Sequence, residues 1–124
     1  MATTVLTNDI LEQRTAIYEF DMVKEDDSAF SLAEIEALTL TYYDLDSSEI
    51  INSRNFQSVL NVNNVTVDSV GHVTWEITPA DSVLVDERKE LEQHIALFTW
   101  TWASGTRIGS HEIQFPVRKL TLVV

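Results

Sequence analysis

Residues Glu92 to Trp102 read Glu-Gln-His-Ile-Ala-Leu-Phe-Thr-Trp-Thr-Trp, and this stretch constrains the fold more than any other. It alternates strictly toward its end. Phe98, Trp100 and Trp102 share one face of a strand, while Leu97, Thr99 and Thr101 share the other. Aromatic and β-branched residues at this density do not suit a surface helix. A strand this aromatic is buried in a β core or pressed against a partner.

The same period recurs along the chain. Thr15 to Val23 places Tyr18, Phe20 and Met22 inward, and Ile35 to Tyr43 places Leu38, Leu40 and Tyr42 on one face. Glu49-Ile50-Ile51 reads as a short strand. Val65-Thr66-Val67 and His72 to Thr78 read as a hairpin around Asp68-Ser69-Val70-Gly71, with Val73, Trp75 and Ile77 inward. Pro79 ends the second strand. Arg107 to Val117 is the hairpin partner of the aromatic strand across Ser104-Gly105-Thr106, and Pro116 suggests a sheet edge or a bulge there. Leu120-Thr121-Leu122 continues a β pattern. Ser31 and Glu34 have capping-box spacing for a short helical turn. Ser53 to Leu60 permits one or two helical turns, from Phe56 and Leu60 four residues apart. Asp81 to Lys89 reads as a loop or weak edge strand. The sum is all-β, an antiparallel sandwich of about seven to eight strands, with a small closed barrel as the structural alternative.

The 124 residues suffice for one domain with a real core, and the 44% hydrophobic content suits a globular chain. Residues 14–124 form the single β-sandwich domain. Residues 1–13 precede the first clear strand as an N-terminal arm or edge strand, with Val5, Ile10 and Leu11 in a polar background. The N-terminus lacks a basic n-region and an apolar h-region, so it reads as no signal peptide. The formal net charge of −12 argues against nucleic acid and against anionic membranes, and no window approaches a membrane span.

No catalytic, cofactor or metal pattern is present. There is no cysteine, no Gly-x-Ser-x-Gly elbow and no glycine-rich phosphate loop. His72, His94 and His111 have no His or Cys at ligand spacing and read as structural or solvated. The acidic clusters at Glu25-Asp26-Asp27, Asp44-Leu45-Asp46 and Asp86-Glu87 read as solvated turns, because the Gly and distant Glu of an EF-hand are missing. The chain is therefore expected to be no enzyme. Trp75, between Val73 and Ile77, reads as core. Trp100 and Trp102 lie near a strand end and are either core or an exposed platform for sugar stacking or a partner protein. Leu122 and Val124 end the chain without a charged brake. With Val5, Ile10, Leu11, Trp100 and Trp102, they are the possible interface residues.

The order of these pieces resembles small immunoglobulin-like virion proteins of tailed phages. The residues that carry the likeness are Tyr18-Glu19-Phe20-Asp21 before an acidic turn, Phe30-Ser31-Leu32, Ile35 to Asp44, Val65 to Trp75, and the aromatic strand with its partner. It is similar to the N-terminal domain of phage baseplate upper proteins and to neck and tail accessory proteins, over roughly residues 10–122 on strand patterns of the kind read above. The glycine usual in the first acidic turn is absent at Asp26-Asp27-Ser28, and no fibre-forming segment follows, so attachment of a receptor-binding protein is not implied. The resemblance implies an immunoglobulin-like sandwich and a non-enzymatic structural component of a virion, assembled in the host cytoplasm. It also implies docking to other virion proteins, in multiple copies or a homo-oligomeric ring. Capsid decoration is a variant of that reading; a carbohydrate-binding module using an exposed Trp is the alternative.

Overall fold

The structure, a computed structural model, describes residues 3–6, 10–12, 14–24, 28 and 30–119. Nine strands lie among them: β1 (Thr3–Val5), β2 (Ile10–Leu11), β3 (Ala16–Asp21), β4 (Ala37–Asp44), β5 (Gln57–Ser58), β6 (Val65–Val67), β7 (His72–Ile77), β8 (Leu91–Trp102) and β9 (Arg107–Arg118). One sheet runs β1-β9-β8-β4-β5, with β2 also on β9; the other runs β3-β7-β6. β4, β8 and β9 take the places of strands C, F and G of the immunoglobulin sandwich, and β3, β7 and β6 those of B, E and D. The predicted immunoglobulin-like β-sandwich is what the chain folds into.

The core forms where the alternating faces meet. Trp75 of β7 is fully buried, with its ring 5.3 Å from Tyr42 of β4, 5.7 Å from Phe98 of β8 and 6.1 Å from Phe115 of β9. Phe20 of β3 meets Phe98 at 4.9 Å. Met22 is buried beyond the end of β3, while Tyr18 is only half-buried. The β6–β7 turn closes as read: Gly71 has φ +80°, and a Cβ there would sit 3.2 Å from the Phe30 Cβ. A 3-10 turn spans Leu32–Glu34, where Glu34 accepts hydrogen bonds from the Ser31 amide and hydroxyl. Lys24 lies 2.6 Å from the same carboxylate and is the first cause of its pKa falling to about 2.

Several expectations need correction. The first sheet is mixed, because β1 and β2 pair parallel with β9. β9 is therefore covered on both sides rather than lying at an edge. The N-terminal pairing stops opposite Gln114 and resumes opposite Val117. Pro116, which has no amide proton, falls in that gap. Ser53 to Leu60 is not helical. Ser53 and Phe56 have φ of 56° and 49°, Phe56 is exposed, and Gln57–Ser58 pairs with β4 so that Val59 reaches the core. Glu49 to Ile51 reduces to one bridge, Tyr43 to Ile50, with Ile51 buried beside it. The acidic run Glu25 to Asp27 and the C-terminal stretch Leu120 to Val124 lie outside the described residues.

Candidate functional site

The possible interface residues divide sharply. Val5 is 58% exposed on β1, which pairs with β9 alone among the described residues. Ile10 is half-buried and packs against the core, and Leu11 pairs with Arg118. Leu122 and Val124 lie outside the described residues. Trp100 and Trp102 are core, at 4% and 8% exposure. The Trp102 ring sits 4.9 Å from Phe30, and that of Trp100 sits 6.1 Å from Phe20. Their parity on β8 explains this, since they continue the inward face of Phe98. An exposed tryptophan platform is therefore absent from this strand. Only part of each indole reaches a shallow groove of about 260 Å³, shared with Asp21, Ile108 and His111.

The histidines occupy three different settings. His72 is on the surface, with Nδ1 2.7 Å from Asp21 and Nε2 3.3 Å from Glu19, and these carboxylates raise its pKa, Asp21 first. His111 is half-buried, stacked 4.3 Å from the Phe20 ring and 2.6 Å from the Tyr18 hydroxyl; burial pushes its pKa down. His94 is fully buried on the core face of β8.

A polar network surrounds His94 at one end of the sandwich. β4 and β8 pair with Asp44 opposite His94, so Tyr42 and Asp44 meet Glu92 and His94 on the inward side. The Tyr42 hydroxyl donates to the Asp81 carbonyl oxygen at 2.8 Å and lies 2.9 Å from His94 Nδ1. His94 Nε2 is 2.9 Å from Glu92 Oε1. The Glu92 carboxylate also accepts from the amides of Val85 and Asp86, each at 2.7 Å. Asp44 Oδ2 accepts from the Ser47 amide at 3.0 Å and hydroxyl at 2.7 Å. Burial pushes the His94 pKa down, against the opposing pull of Glu92 and then Asp44. Asp44, Glu92 and His94 each bring one ligand-type atom within 4.8 Å of the others, so these three could hold a metal ion.

Asp44 corrects the reading of Asp44-Leu45-Asp46 as a solvated turn. It is 1% exposed, because it ends the inward face of β4 rather than beginning the turn. Period-two counting back from Phe98 and on from Leu40 puts Glu92, His94 and Asp44 on the core face, and that signal could have found them. A second buried group, Arg54 with Asp81, was not legible in the same way. Arg54 donates Nε to Asp81 Oδ1 at 2.6 Å and Nη2 to Oδ2 at 3.1 Å. Asn52 and Thr78 complete the carboxylate's partners.

No family model matches the chain, and neither a curated protein nor a solved structure matches it. No helix among the described residues is long and apolar enough to cross a membrane.

Proposed function

We propose that the chain is a non-enzymatic docking module, a structural component of a tailed-phage virion at the neck, tail or baseplate. The observation that carries the reading is the seating of the N-terminal segment. Thr3–Val5 and Ile10–Leu11 pair parallel with β9 as the outer strands of the first sheet. An outer strand of this kind is where strand addition acts, a mode in which main-chain hydrogen bonds supply affinity and the added strand comes from another copy. β1 leaves its far edge unpaired among the described residues and holds Val5 out to solvent. A neighbour adding there would cover both. The resemblance of the sequence segments to those of immunoglobulin-like virion proteins supports the setting, and the net charge of −12 keeps unassembled copies apart in solution.

The test is sedimentation of the full chain, alone and with particles purified from cells carrying its gene. Multimers or particle-bound protein are expected, and deletion of residues 1–7 is expected to abolish both while leaving the circular dichroism of a β fold. A strictly monomeric chain that never joins particles would overturn the reading. Glycan binding by that monomer would favour the carbohydrate-binding alternative, although the burial of Trp100 and Trp102 removes the platform it would use.

A further inference from the structure

We propose that Asp44, Glu92 and His94 bind one divalent transition-metal cation of the Zn²⁺ class, enclosed at one end of the sandwich.

Tyr42 decides which nitrogen faces the site. A phenol has a single proton. Tyr42 gives it to the Asp81 carbonyl oxygen at 2.8 Å, so Nδ1–H of His94 is the donor in the 2.9 Å contact with the Tyr42 oxygen. Whenever the ring is neutral, its lone pair is on Nε2. That atom lies 2.9 Å from Glu92 Oε1, which is also an acceptor. Nε2 therefore has two ways to meet this carboxylate: with a second ring proton it donates to Oε1, and once that proton is displaced its lone pair is free for a metal ion that the same carboxylate can also bind.

Asp44 is the independent observation. Its Oδ2 is satisfied by Ser47, but Oδ1 is buried without a hydrogen-bond partner among the described residues. A buried carboxylate oxygen left without a donor is costly, and native structures seldom tolerate one without an ion or water. A metal ion held by the three residues would give the Asp44 carboxylate a further partner and take the place of the proton between Nε2 and Oε1.

The donor set fits the ion. One imidazole and two carboxylates suit Zn²⁺, with ligand distances of roughly 2.0–2.2 Å. Tetrahedral ligand atoms at that radius are about 3.3 Å apart. Nε2 and Oε1 need to part by only about 0.4 Å from their present contact, and the Asp44 oxygen, within 4.8 Å, needs to close in. A second oxygen of either carboxylate can complete four-coordination. Calcium suits the set less well, because it takes roughly six to eight oxygens. The outer contacts are those that orient metal ligands elsewhere: the Val85 and Asp86 amides hold Glu92, and Tyr42 holds the imidazole. All three ligands are at most 2% exposed, so the ion would be structural, tying β4, β8 and the Val85–Asp86 segment together.

The probe is Zn²⁺ titrated into the chelator-stripped full chain, followed by calorimetry and backbone amide NMR. One Zn²⁺ per chain is expected, with shifts concentrated at the Ser47, Val85 and Asp86 amides. At about a 100-fold excess over Kd, the unfolding midpoint should rise by roughly 10 °C, reversibly with EDTA. Asp44→Asn should weaken binding by more than about 100-fold, and Tyr42→Phe by about 10–100-fold. His72→Ala, at the surface group with Asp21 and Glu19, should leave affinity unchanged. Absence of saturable one-to-one binding would overturn the proposal. So would shifts confined to His72 and Asp21, or a folded Asp44→Asn variant with wild-type affinity. The amide map of the unmutated chain decides even if a variant does not fold.

Discussion

Trp75 shows how one side chain organises this core. It is fully buried, and its ring meets aromatic side chains from β4, β8 and β9. Trp75→Ala should cost about 3–5 kcal/mol in urea unfolding, through lost transfer energy and an unfilled cavity. A loss under about 1 kcal/mol would be that of a surface residue. Arg54 lies against the same ring, its guanidinium carbon 5.9 Å from the centroid, and is bidentate to Asp81. Both partners are nearly or completely buried, so Arg54→Ala would strand a carboxylate in the core and should cost about 3–5 kcal/mol. The pH dependence has a definite sign. Burial alone would raise the Asp81 pKa, but the bonds from Arg54, Thr78 and Asn52 outweigh it and leave it lowered. A lowered carboxyl pKa contributes stability above the unfolded value, near 3.8, and loses it as pH falls through the folded value. Urea midpoints measured from pH 5 downward should show the advantage of the wild type over Arg54→Ala shrinking as pH falls below about 3.8.

Pairing between strands sets a second, opposite pH response. β3 and β7 bring Asp21 opposite His72, and Glu19 flanks the same ring. The raised His72 pKa means that its contribution is fully present below the unfolded value of 6.5 and is lost as pH rises through the folded value. An NMR titration should find His72 titrating above 6.5, and His72→Gln should remove that step from the stability profile. A titration at or below the unfolded value would show that the two carboxylates do not hold the ring. The strands on β9 make a separate prediction. Leu6 and Glu12 donate to Gln114 and Arg118 at 2.8 Å, so their amides should be protected from hydrogen exchange. They are expected to exchange sooner than those at the centre of β8, because an outer segment can open without the sandwich.

Charge acts on the protein as a unit. A net −12 on 124 residues opposes compaction by self-repulsion. Raising sodium chloride from about 10 mM to about 150 mM shortens the screening length from roughly 30 Å to 8 Å and should raise the thermal midpoint. A falling midpoint would show that local pairs such as Lys24–Glu34 and Lys89–Asp46 outweigh the net repulsion. The same screening should ease contact between copies, so any multimer is expected to strengthen with salt.

Period-two alternation alone determined most of the sandwich. It assigned the inward faces of β4, β7 and β8, including Leu38, Leu40, Tyr42, Val73, Trp75 and Phe98, because side-chain direction in a strand is set by backbone geometry. Local turn chemistry was equally legible at Gly71 and at the Ser31–Glu34 box. Other features depended on contacts between segments far apart in the chain. Phe56 looked like half of a helical pair, but residues 57–58 gain a partner in β4, and that pairing overrides a short helical signal. Asp44 looked like the start of a polar turn until β8 set His94 opposite it. Arg54 and Asp81 stand 27 residues apart in segments read as a helical turn and a loop, and no spacing announces their pairing. The N-terminal strands found their place only because β9 offered an outer edge interrupted at Pro116. Periodicity is written into each strand, whereas partners are chosen by the folded surface that the other strands have already made.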